Sequence, residues 1–252
     1  MAADASMEAD KQAAIASLML KLRARDEVSV EEERVLLEAI SDTGSYDANR
    51  NIVRAGTTRT DCNLLLDGFV ARYKDLADGQ RQVIEIHVPG DFIDLHGLLI
   101  KQLDHHVGAL TPVRTVVFPH EAMRDITRNH AHLGRLLWLS TLIDAAMHRE
   151  KILTVGRRTA VARVGHVLAE LFLRLQTVDL TTGFSFKLPI TQLDLADATG
   201  LTAVHVNRML KELRDGGILT FRSGEVVIHD WERLQRIAEF DPLYLHIDKQ
   251  PR

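Results

Sequence analysis

In the stretch LTAVHVNRMLKEL, Arg208 and Lys211 stand three residues apart, while Val206, Leu210 and Leu213 recur at helical spacing. A helix starting at Thr202 puts Val204, Arg208, Lys211 and Asp215 on the face opposite the apolar one, with His205 and Asn207 on its flanks. Such a face has the chemistry to read DNA. A guanidinium spans guanine O6 and N7, a valine meets a thymine methyl, and an ammonium takes a phosphate. As N-cap, Thr202 aims the free amides and the positive dipole end of the helix the same way as its first-turn side chains. A second concentration of polar groups is Asp94, His96, His105 and His106, with Asp104 beside them. Adjacent histidines on a strand point to opposite faces, which is poor geometry for a shared ion. We therefore expect no metal site and no cofactor, and take Asp94, His96, His105 and His106 as candidates for the lining of an effector pocket. No catalytic residues are indicated.

The elements that must position these residues can be read from the surrounding pattern. LPITQLDLADATGLTAVHVNRMLKEL forms a helix-turn-helix, with Ala196 small at the crossing, Gly200 able to take positive φ in the turn and Val206 locking the second helix. Directly behind it, GGILTFRSGEVVIHD alternates like a hairpin with its turn at Ser223-Gly224, as a winged helix requires. Residues 187–236 carry as many Asp and Glu as Lys and Arg, so a basic footprint must be local; Arg157, Arg158 and Arg163 are expected to add to it. From His120 to about Val155, Leu136, Leu139, Ile143, Ala146, Glu150 and Leu153 are spaced alternately by three and four. That is a narrow packing seam, read here as the contact with a second copy because the helix lies between two domains. Gly156 is expected to end this helix, and Arg157 and Arg158 to open the next.

Between Tyr46 and Phe118 the period changes. NLLLDGFVARYK, QRQVIEIHV and VRTVVF are strand-like and are punctuated by Asp67-Gly68, Asp78-Gly79 and Pro89-Gly90-Asp91, which argues a small antiparallel roll. The charged segment from about Asp10 to Ile40 reads as solvated surface helix, with Ser29 as cap and Glu32 three residues later. A net charge of −4 supplies no global attraction to polyanions, and a single cysteine, Cys62, excludes a disulfide framework and an all-cysteine iron–sulfur cluster. The acidic start MAADASMEADKQ does not read as a signal, and LLWLSTLIDAAM is too short and polar to span a bilayer, so a cytoplasmic protein with no membrane partner is expected.

With GFVARYKDLADGQRQVIEIHVPGDF, the helix-turn-helix stretch and the terminal EFDPLYLH in that order, the chain resembles the Crp/Fnr family of bacterial transcription regulators from about Thr43 onward. The resemblance implies an α+β architecture: a helical segment at 1–42, an antiparallel cyclic-nucleotide-binding-like β-roll sensor at 43–119, a long dimerisation helix at 120–156, a winged helix-turn-helix at 157–240 and a tail at 241–252. It implies a homodimer on a palindromic operator in double-stranded DNA, RNA polymerase as a partner, and a small-molecule effector. Where cyclic-nucleotide binders of the family carry Gly-Glu-Leu and then Arg-Ser, this chain reads GDFIDLHG and KQLDHHVGA, with Leu95 aligned to the ribose-binding Glu and Leu103 and Asp104 near the phosphate-binding pair. Leucine neutralises no phosphate and aspartate repels one, so cyclic AMP in the usual pose is not expected. On the second helix Ala203-Val204 replaces an Arg-Glu pair, while the later arginine persists as Arg208. The rival expectation is a cupin-like metal-binding roll or metalloenzyme, which accounts for the histidines but leaves the winged helix unexplained.

Overall fold

A computed structural model describes residues 2–250. The chain opens with two helices, α1 (Ala2–Arg23) and α2 (Val30–Glu38). The Ser29 hydroxyl accepts from the Glu32 amide and the Glu32 carboxylate accepts from the Ser29 amide, so the expected capping box is formed. The expectation of a solvated segment fails for α1. Ala14, Ile15, Leu18, Met19 and Leu22 make an i, i+1, i+4, i+5, i+8 stripe buried in one cluster with Leu64, Phe92, Val116 and Phe118. Composition concealed it, because Glu8, Lys11 and Arg23 are not buried and Lys21 is buried against a distant partner. The turn Pro89-Gly90-Asp91 meets the same helix: Gly90 has φ +83°, and a Cβ there would sit 2.8 Å from the Ser17 carbonyl oxygen. Asp91 also pairs with Lys21.

The roll consists of two sheets. In one, β1 (Asp42–Tyr46), β7 (Val113–Pro119) and β3 (Asp61–Asp67) lie antiparallel in the order β1-β7-β3. The other has the order β2-β6-β4-β5, from β2 (Asn51–Val53), β6 (His106–Ala109), β4 (Val70–Asp75) and β5 (Arg81–His87). Strands β1, β2 and β6 were not singled out in the sequence, β2 having only three residues and β1 and β6 one branched residue each. One buried cation organises the interior: Arg72 donates to the carbonyls of Ile93 (3.0 Å) and Phe92 (3.2 Å) and pairs with Asp144 at 2.7 Å.

The segment from His120 is two helices rather than one, α3 (His120–Asn129) and α4 (Ala131–Arg157), broken where His130 takes φ −123° and ψ 76°. Gly156 does not end α4, which runs on to Arg157, and the next helix, α5 (Ala160–Gln176), is capped by Thr159. The face read as the intersubunit seam is largely used within the protomer. Leu136, Ile143 and Ala146 are buried, and Leu136 lies in the same core cluster as α1. The opposite face carries the uncovered apolar stripe: Trp138 is 66% exposed, Leu142 50% and Ile152 71%, with Ala145 and Arg149 completing a 4-3-4-3 spacing.

The contacts divide the chain into two compact units. One holds the chain up to Arg72, His87–Ala145 and the segment from His246; the other holds Tyr73–Ile86 and Ala146–Leu245. In the second, α6 (Gln192–Thr199), α7 (Ala203–Asp215) and α8 (Trp231–Ala238) surround α5. Its sheet has the order β10-β11-β9-β8, with β8 (Thr181–Thr182), β9 (Ser185–Lys187), β10 (Leu219–Arg222) and β11 (Glu225–Ile228). The expected hairpin is β10–β11, turning at Ser223-Gly224; the β8–β9 pair that widens its sheet was not anticipated. The segment EFDPLYL closes this unit. Phe240 meets His166 edge to face, and the Tyr244 hydroxyl, which donates to Glu170 at 2.7 Å, lies 3.1 Å from His166 Nε2. Burial pushes His166 down to about 4, so it is neutral at pH 7. Among the described residues no helix is long and apolar enough to cross a membrane.

Candidate nucleic-acid interface

Helix α6 begins with a capping box, Thr191 Oγ1 accepting from the Asp194 amide (3.1 Å) and Asp194 accepting from the Thr191 amide (2.7 Å). The T-x-x-D spacing that signals it was in the sequence and passed unused. The helix ends at Gly200, whose φ 64° and ψ 35° are left-handed as the turn demands. Thr202 then caps α7, its hydroxyl accepting from the His205 amide at 3.3 Å. The inward face of α7 is Val206, Met209, Leu210 and Leu213, all buried. Each such side chain contributes about 2 kcal/mol of burial, which fixes the rotation of the helix about its axis.

That rotation leaves Val204, 78% exposed, on the outer face with Arg208 and Lys211, and sets His205 and Asn207 exposed beside them. The structure therefore brings together on one surface the six residues singled out for DNA, Thr202, Val204, His205, Asn207, Arg208 and Lys211. The supporting basic footprint is smaller than expected. Arg158 is buried, donating to Thr154 and Glu150 at 2.6 Å each and to the Glu239 carbonyl at 2.8 Å. Arg163 donates to the carbonyls of Arg158 (3.0 Å) and Thr199 (3.4 Å), so of the three arginines only Arg157 is exposed.

The candidate effector residues do not form one site. Asp94 is buried against Asn63, accepting from its backbone amide (2.6 Å) and its side-chain amide (2.8 Å); burial raises its carboxyl to about 6 against those bonds. His106 Nδ1 accepts from the Ala55 amide at 3.3 Å. His96 and His105 meet, with ring centroids 5.1 Å apart and Asp104 2.9 Å from His105 Nδ1. Leu95 and Leu103 are both core side chains. Cys62 is buried and its thiol pushed upward by desolvation, which disfavours the reactive thiolate.

Two family models match the chain, the cyclic nucleotide-binding domain over residues 43–130 and the Crp-like helix-turn-helix domain over residues 162–237. The chain is similar to the transcriptional activator protein FnrL of Cereibacter sphaeroides, at 28% identity over 83% of this chain and 86% of that protein. It is 27% identical to the nitrogen fixation regulation protein FixK of Rhizobium meliloti, over 73% of this chain and 80% of FixK. Among solved structures it resembles FixK2 from Bradyrhizobium japonicum, with a TM-score of 0.71 and 26% identity over 78% of this chain and 96% of FixK2. These relatives are transcription regulators and not enzymes, which sets aside the metalloenzyme alternative.

Proposed function

We propose that this chain, which belongs to the Crp/Fnr family of transcription regulators, binds a palindromic operator as a homodimer and does so without cyclic AMP. The observation that carries the reading is α7: a capped helix held by a buried apolar face, with Val204, His205, Asn207, Arg208 and Lys211 exposed on the rest. Arg208 takes a guanine edge, Val204 a thymine methyl and Lys211 a phosphate, while the free amides beyond Thr202 approach the backbone.

One α7 covers one half-site, and a two-fold partner supplies the second about 34 Å away. The uncovered stripe Trp138, Leu142, Ala145 and Ile152 supports that partner, since apolar residues repeating at 4-3 spacing pair helix with helix. Independence from cyclic AMP is supported by Leu95 and Leu103, whose side chains are committed to the core and offer nothing to a ribose hydroxyl or a phosphate. His96 and His105, which face one another, are the candidate polar pair for a different small-molecule effector. The protein acts in the cytoplasm, with RNA polymerase as its further partner.

Selection of bound DNA from a random library, with and without cyclic AMP, tests the reading. We expect one inverted repeat enriched equally in both. Enrichment only with the nucleotide sinks the effector statement, a lone half-site sinks the dimer, and no enriched sequence sinks the operator.

A further inference from the structure

The last four carbonyls of a helix have no donor within it, and α6 meets this need in an unusual way. Its Ala196 carbonyl accepts from the backbone amides of Gly200 and Leu201 (3.1 Å from Leu201), the ordinary end of a helix closed by glycine. The remaining three consecutive carbonyls each accept from a side chain of a different element. Gln82 Nε2, in β5, donates to Asp197 O at 2.9 Å; Lys151 Nζ, in α4, to Ala198 O at 3.1 Å; and Arg163 Nη1, in α5, to Thr199 O at 3.4 Å. Two of the three donors are cations set against the negative end of the helix dipole. The turn beyond is equally close: a Cβ at Gly200 would lie 3.5 Å from Gln82 Oε1 and 3.8 Å from Arg163 Nη1.

We propose that Gln82, Lys151 and Arg163 form a latch on the C-terminal end of α6 that positions α7 for the operator. Gln82 and Lys151 are the informative members, because neither belongs to the helix-turn-helix. Gln82 lies on a strand continuous with the sheet of the roll, and Lys151 on the helix that bears the uncovered apolar stripe. The turn from Gly200 to Thr202 is too short to absorb a displacement, so any shift of these donors passes to the cap and the first turn of α7. The three are positioning residues and touch no base. The latch rests on the operator reading for its function but not for its existence.

Gln82→Leu removes the donor at nearly constant size, and Gln82→Lys keeps a donor of suitable reach. Operator and random-sequence affinities are measured by fluorescence anisotropy at one salt concentration, with amide exchange over α6 and α7 of the full chain. We expect Gln82→Leu to lose about tenfold in operator affinity with random-sequence affinity and melting temperature held, and to exchange faster from Gly200 to Asn207. Gln82→Lys should restore both affinity and protection. Lys151→Met should act in the same direction, and the double variant should lose less than the product of the two, as groups acting on one helix end do. Unchanged exchange in Gln82→Leu, or Gln82→Leu and Gln82→Lys behaving alike, overturns the latch. A wild-type chain that shows no preference for any sequence overturns the operator reading instead, and the exchange data then decide the latch alone.

Discussion

Helices α7 and α4 carry the same kind of signal, apolar residues at alternating spacings of three and four, and in both the stripe singled out in the sequence is buried, yet only in α7 does its setting also say what covers it. In α7 the large apolar residues other than Val204 lie on one side, and their partners are local, in α6, α5 and β10. In α4 they lie on two sides. Leu136, Ile143, Ala146 and Met147 are covered by the chain's own protomer, while Trp138, Leu142 and Ile152, nearly opposite, are not. Periodicity detects a stripe but does not say what covers it, and on a helix with two stripes it offers no rule for choosing between them.

The largest expected effect separates the two stripes of α4. Leu142→Asp, on the uncovered stripe, should leave the melting temperature near wild type, dissociate the dimer in sedimentation and lower operator affinity by a hundredfold or more, on the order of 3 kcal/mol or greater. Ile143→Ala, one residue on, should cost about 2–4 kcal/mol in urea unfolding as a core truncation, with the dimer equilibrium of the folded protein unchanged. If Ile143→Ala dissociates the dimer and Leu142→Asp does not, the face originally read from the sequence is the interface after all.

On α7 the corresponding contrast is between two exposed residues. Arg208→Ala should cost about 1–3 kcal/mol at one base pair in each half-site and relax preference there. A uniform loss over all sequences would make Arg208 a phosphate contact. Lys211→Ala is expected to reduce the slope of log affinity against log salt by roughly one unit while leaving preference intact; a changed consensus would move it to the base-reading set.

The smallest effect tests how firmly the start of α4 is held by its own protomer. His132 Nδ1 lies 2.6 Å from Glu32 and Nε2 3.4 Å from Asp26, and the bond to Glu32 raises the imidazole above its ordinary value. A raised histidine stabilises the fold fully below its unfolded value near 6.5, and that contribution fades as pH rises through the folded value. Wild type minus His132→Gln in unfolding free energy should therefore decline from pH 6 to pH 8. A flat difference would show that the pair contributes nothing to holding the helix.

The same distinction governs how much of the protein could be read in advance. The capping box at Ser29, the left-handed turn at Gly200, the Thr202 cap, the buried side of α7 and the turn at Ser223-Gly224 are set by residues a few positions apart. Each is a local demand on φ, on an unpaired amide or on a helical stripe, and the sequence by itself determined them, together with the exposure of Thr202, Val204, His205, Asn207, Arg208 and Lys211. Only the tertiary structure decided the rest. It buried the stripe of α1 against the roll, turned Asp94 onto Asn63, tied Arg158 to the Glu239 carbonyl, and set Gln82, Lys151 and Arg163 on three successive carbonyls of α6. Each of these joins groups from about 30 to over 110 positions apart or chooses between two apolar faces, and no short-range pattern encodes it, because the energy that selects it exists only once the distant partner has arrived.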